Sequence, residues 1–112
     1  SYRGRCCMSG VSDSSFLVAS HIVPWSEDKA NRLNPSNGLC LSAIHDRAFD
    51  QALISLTDDY RVLLSERLLH SKDDFLKTTF LSLKDRPIEI PERFAPAPEF
   101  LAKHRARFEG GC

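Results

Sequence analysis

The sequence predicts a small α+β domain. Three features carry that expectation. FLVASHI, residues 16–22, is an apolar and β-branched run. Residues 53–65 hold two alternating runs around Asp58-Asp59, the pattern of a hairpin. Apolar residues recur at helical spacing near residues 40–50 and again in residues 96–109. A chain of 112 residues suits one domain with one core. A composition 42% hydrophobic and 27% charged is that of an ordinary globular chain.

In chain order, residues 1–5 form a polar, basic entry, and CCMSGVSDSS spaces its Ser, Gly and Asp like turns. The strand of FLVASHI ends at Pro24. Residues 24–38 are rich in Pro, Asn and Gly and read as a long loop, with one helical turn at SEDK and Trp25 as its anchor. Leu41, Ile44 and Ala48 recur at helical spacing, and Leu41 and His45 lie one turn apart, which predicts a helix from about residue 40 to 50. The hairpin follows. DDFLKTTFLSLK, residues 73–84, predicts a short helix capped by Asp73. RPIEIPERF is extended, punctuated by Pro87 and Pro91. PAPEFLAKHRARFE predicts a terminal helix with Pro98 in its first turn and Phe100, Leu101, His104 and Phe108 on one stripe.

Composition narrows the function classes. No apolar run approaches the ~20 residues that span a bilayer, and no leader pattern opens the chain, so no membrane association is expected. Residue 1 is Ser, which fits a piece of a longer protein. Lys+Arg and Asp+Glu each number 15, giving zero net charge. A domain that grips nucleic acid alone is usually basic, so any such grip needs a neighbouring domain or subunit. Cys6, Cys7, Cys40 and Cys112 do not form a secreted disulfide pattern, and the expected setting is reducing and cytoplasmic. A zinc ribbon needs paired C-x2-C knuckles. Ser9, Gly10 and Ala43 occupy the partner positions, so no structural zinc is expected.

Three polar residues stand out in order: His21 after the strand, Asn37 at the loop's end and His45 on the expected helix. They suit phosphodiester hydrolysis. A neutral imidazole takes a proton from water. A histidine on a firm helix holds a cation, and an amide staples the loop behind the base. Each also has a plain reading: a strand-end histidine, an Asn-Gly turn, a histidine lining a helix face. Spacing alone does not separate the two.

Sequence context does. ASHIVPW…NPSNGLCLSAIHDRAFDQALISL resembles the HNH endonuclease family, the ββα-metal nucleases, and within it a restriction-type branch with SHI-x-P, NGL-x-LS and HD-x-x-FD. The resemblance covers about residues 6–65 and reaches more weakly to PERFAPAPEFLAKHRARF. It implies a ββα-metal core (about 6–65) with additional C-terminal helices (about 66–109) in one domain. It implies His21 as general base, Asn37 as the residue that orients it, and His45 as ligand of one divalent metal ion, Mg²⁺ with Mn²⁺ or Ni²⁺ as alternatives. The implied substrate is DNA, cut to 5′-phosphate and 3′-hydroxyl ends. One such site cuts one strand, and the net charge is zero, so a homodimer or a fused DNA-recognition domain is the expected partner. Ser20 departs from the pattern: many family members carry Asp or His there as a second ligand, and a hydroxyl is a poorer ligand for a hard cation. Asp46 or Asp50, flanking His45, are the alternatives. Arg47, Lys29 and Arg32 are candidate phosphate contacts, or plain surface charges. His104 and Arg105 either approach substrate or pack beside Phe100 and Phe108. A non-catalytic binding domain on the same fold, and a nonspecific nuclease acting on RNA, are the rival functions.

Overall fold

The computed structural model describes residues 2–24 and 34–110. Trp25, the SEDK turn, Lys29, Arg32 and Cys112 lie outside the described residues. Strand β1 spans Leu17–His21 and pairs antiparallel with β2, Gly38–Ser42, in the register Leu17↔Ser42 to His21↔Gly38. Because strand side chains alternate between faces, one face of the pair gathers Ser20, Leu39 and Leu41, all buried. The other carries Ala19 and Cys40, which with Tyr2, Leu17, Gly38 and Phe94 line a groove of about 420 Å³.

Helix α1, Ala43–Asp50, follows β2 without a linker and turns His45, Ala48 and Phe49 inward, packing on both strands. The helix expected from residue 40 thus starts three residues later, and Leu39–Ser42 belong to a strand. Leu39 and Leu41 alternate inward at a period of two, and pairing with β1 decides between that period and the helical one. Ser42 ends the strand and caps the helix, its hydroxyl accepting from the His45 amide. At the far end Ala52 adopts φ 56°, and the Leu53 and Ala52 amides donate to the Ala48 and Phe49 carbonyls at 2.8 and 3.0 Å. This is a Schellman stop with alanine where glycine is usual.

The expected hairpin is present as β3, Ile54–Leu56, and β4, Val62–Leu64, antiparallel. A helix not expected from the sequence, α2, spans Glu66–Leu69, started by the Ser65 cap. The expected 73–84 helix is α3, Asp74–Phe80, with Asp73 as cap, continued by a 3-10 turn at Leu81–Leu83. Residues 86–89 run extended beside β4 and reach the N-terminal segment, the Glu89 amide donating to the Cys7 carbonyl at 2.8 Å. The last helix, α4, is Pro98–Gly110 and packs on β3.

The core joins all of these pieces. Ile22, Leu41, Phe49, Ile54, Leu56, Phe80 and Leu101 are buried at its centre. Cys6 and Cys7 are buried with it, as small apolar groups. Burial, with Cys6 and Cys40 alongside, pushes the Cys7 thiol up and keeps it protonated. The fold is therefore α+β, with a strand–strand–helix core and helices added C-terminally. Among the described residues no helix is long and apolar enough to cross a membrane.

Candidate active site

The end of β1 is built by the sequence NPSN. Pro35 at the first position of a 3-10 turn, Pro35–Asn37, and Asn34 as its cap direct Asn37 back toward the chain leaving β1. Three bonds then tie that exit. The Ile22 amide donates to the Asn37 carbonyl at 2.9 Å. The Val23 amide donates to Asn37 Oδ1 at 2.8 Å, and Asn37 Nδ2 donates to the Val23 carbonyl at 3.0 Å. Asn37 is fully buried, so these bonds form away from competing water. His21, the residue before this clamp, is exposed and stands opposite Gly38 in the register. The structure thus brings His21 and Asn37 together at one end of the strand pair.

The clamp is specific to an amide. Asn37→Asp keeps the acceptor for the Val23 amide but sets a carboxylate oxygen against the Val23 carbonyl. The expected cost is about 1–3 kcal/mol, the range for a buried polar group left without its partner. Urea denaturation at pH 7 reads it; an unchanged midpoint would mean that the clamp contributes nothing to stability.

His45 lies in the first turn of α1, buried, with its ring tilted against Phe80 of α3 at 5.2 Å between centroids. Its Nδ1 is 2.5 Å from Ser42 Oγ. Its Nε2 is buried and has no hydrogen-bond partner among the described residues. Burial holds the imidazole below its usual pKa, so the ring is neutral at pH 7 and has a lone pair to offer.

The other candidates fall in different places. Ser20, buried, alternates with His21 and faces the side of the strand pair where Leu39 and Leu41 meet the core. Asp46 is half-buried and projects roughly 100° around the helix from His45. Arg47 is exposed and roughly 200° around, on the solvent side of α1. Asp50 closes the helix, and its carbonyl accepts from Arg107 Nη2 at 2.6 Å. His104 and Arg105 are structural. The His104 ring stacks on Phe49 at 3.7 Å, and Arg105 donates to the Leu56 carbonyl and to Asp58. Two neighbours of His45 were not singled out from sequence, Ser42 and Phe80. The Ser-x-x-His spacing at a helix start was the available signal for Ser42; nothing local marks Phe80.

A divalent ion fits these residues in one way. Among the described residues no group of three or more His, Cys, Asp or Glu side chains is placed to hold a metal. The Nε2 of neutral His45, buried and without a partner among the described residues, suits a protein ligand, with the remaining coordination left to any auxiliary side chain, water and substrate oxygen, as hard cations accept.

Strand, clamped turn, strand and helix, with a histidine at the first strand's end and another on the helix, make the ββα-metal fold. Residues 6–57 match the model of the HNH endonuclease family. Among solved structures, a chain titled "Modification dependent TagI restriction endonuclease" matches with a TM-score of 0.70 and 20% sequence identity. The match covers 95% of this chain and 34% of that one, so the chain spans about a third of its structural relative. A comparison with curated proteins finds no match.

Proposed function

We propose that the chain is the cleavage module of a metal-dependent DNA endonuclease of restriction type. The observation that carries this reading is the Nε2 of His45, buried and without a partner among the described residues, on the helix that packs against the strand ending in His21. His21 takes a proton from the attacking water. Asn37 holds the backbone just past His21, so the ring works from a fixed base. Water then forms the new bond to phosphorus as the bond to the 3′ oxygen breaks, leaving a 5′-phosphate and a 3′-hydroxyl. A bound divalent cation, Mg²⁺ or in its place Mn²⁺ or Ni²⁺, supplies Lewis-acid stabilisation of the charge on the phosphate and leaving oxygens. Ser20 and Asp46 are the proposed auxiliary ligands beside His45. Arg47, exposed on α1, is a proposed phosphate contact. One such site cuts one strand, and a chain with zero net charge has little grip of its own. A second copy or a fused DNA-recognition domain completes the proposal.

The test is nicking of supercoiled plasmid with Mg²⁺, Mn²⁺ or Ni²⁺. Nicked circles are expected with metal and are expected to vanish with EDTA and in His45→Ala. Cutting that survives both would remove the metal role of His45. A second reading, a fold kept for binding alone, draws on the Ser20 hydroxyl where a carboxylate would bind metal better. DNA binding by the folded chain without cutting under any metal would favour it.

A further inference from the structure

We infer that Ser42 is a positioning residue that holds the His45 ring in the tautomer with its proton on Nδ1, leaving the Nε2 lone pair for a cation. The inference rests on the proposed metal role of His45 but concerns a residue outside the set of base, amide and ligand.

Ser42 is held in place twice. It is the last residue of β2, paired with Leu17, and it is the cap of α1. Its Oγ accepts the His45 backbone amide at 3.4 Å and stands 2.5 Å from Nδ1 of the same residue. Only one hydrogen fits between Oγ and Nδ1, and it belongs either to the serine or to the ring. If it belongs to the serine, the ring proton sits on Nε2. That places an N–H donor in a buried position with no acceptor among the described residues. It also leaves the ring without a lone pair on the side facing away from Ser42, and no cation binds an N–H. If the hydrogen belongs to the ring, Ser42 accepts both the backbone and the ring N–H, and its own hydroxyl proton rotates away. Nε2 then presents a lone pair. A cation at that nitrogen turns the unsatisfied atom into a satisfied one.

The ring therefore has one fixed side and one open side. Phe80 packs against it at 5.2 Å, so a ring that lost its Ser42 contact would still be confined, but its tautomer would no longer be set. Outer partners of this kind typically change metal affinity 10–100-fold.

Capping and ring-holding separate by substitution. Glycine is tolerated at a helix cap nearly as well as serine, so Ser42→Gly keeps the helix start while deleting the ring's partner. Ser42→Thr keeps both. The first readout is long-range ¹H–¹⁵N correlation of the histidine side chains in the whole, metal-free chain. The wild type is expected to show His45 as the Nδ1–H tautomer, and Ser42→Gly a mixture or the Nε2–H form. The second is calorimetric titration with Mn²⁺ alone. Ser42→Gly is expected to bind about 10–100-fold more weakly, Ser42→Thr like the wild type, with thermal midpoints of the metal-free proteins close together. An Nε2–H tautomer in the wild type overturns the inference, as does Mn²⁺ affinity equal in Ser42→Gly and wild type while His45→Ala lowers it. If His45→Ala leaves Mn²⁺ binding unchanged, the metal reading of His45 fails instead. The tautomer spectra then decide for or against Ser42 by themselves.

Discussion

Replacing His21 with alanine is expected to slow metal-dependent nicking about 10²–10⁴-fold, the span that a positioned general base supplies. That is about 3–5 kcal/mol of barrier. The loss should appear in kcat and leave KM for DNA nearly unchanged, because a base acts on the proton in flight and not on substrate binding. Stability should hardly move. His21 is exposed at the strand's end, and substitutions at such positions usually stay within about 0.5 kcal/mol. This separates it from Asn37, where loss of rate would come with loss of stability because the side chain is fully buried and bonded to Val23. Single-turnover nicking at saturating DNA, alongside urea denaturation, reads both quantities. His21→Gln, which keeps a hydrogen-bonding group but cannot take the proton, should be as slow as the alanine variant. A rate within threefold of wild type in either variant would remove His21 from the role of base.

The parts of this arrangement that were readable from the sequence are the local ones. The β1 run ends where FLVASHI meets Pro24, and the NPSN turn is built from its own four residues, so the order histidine, asparagine, histidine maps directly onto strand, turn and helix. The boundary between β2 and α1 was not readable. Five residues, GLCLS, fit either period, and Leu41 to His45 happens to be one helical turn. What settles GLCLS as a strand is β1, whose paired residues lie 17 to 25 positions earlier, as in His21↔Gly38 and Leu17↔Ser42. With the helix placed too early, Ser42 became an interior residue and its capping role was hidden. His104 stayed open between substrate contact and packing for a related reason. Its two hydrogen-bond partners, Ser55 and Phe49, are 49 and 55 residues away in the chain. No window of sequence around the terminal helix contains them. The orphaned Nε2 of His45 is of the same kind, since burial by distant elements such as α3 is what makes it unusual.

The largest pH effect on stability is expected from His104, a histidine far from the proposed chemistry. Its Nε2 donates to the Phe49 carbonyl at 2.7 Å, and its Nδ1, 2.7 Å from Ser55 Oγ, accepts that hydroxyl. The ring lies flat on Phe49 and is almost wholly buried, which fixes the terminal helix α4 to β3 and to the end of α1. Both ring nitrogens are in use by the neutral form, so a second proton has no partner. Burial pushes the pKa down to about 4 from its usual 6.5, with Arg107 adding to the fall and the Phe49 carbonyl and Asp50 opposing it. Between those values the unfolded chain binds a proton that the folded chain refuses. The stabilisation is therefore complete above pH 6.5 and is lost as pH falls toward 4, below which both states are protonated and the loss stops. At ~1.36 kcal/mol for each pKa unit, the loss comes to roughly 3 kcal/mol, a large share of the total for a domain of this size. Urea denaturation from pH 7 to 4 on the wild type and on His104→Gln isolates the effect. Groups that do not interact with His104 contribute equally in both proteins and cancel in the difference. The variant should be less stable at pH 7 and should fall less steeply on acidification, so that the two curves converge near pH 4. Parallel curves would mean that His104 is solvated or protonated in the folded protein, and that α4 is held by Arg105, Arg107 and apolar packing alone.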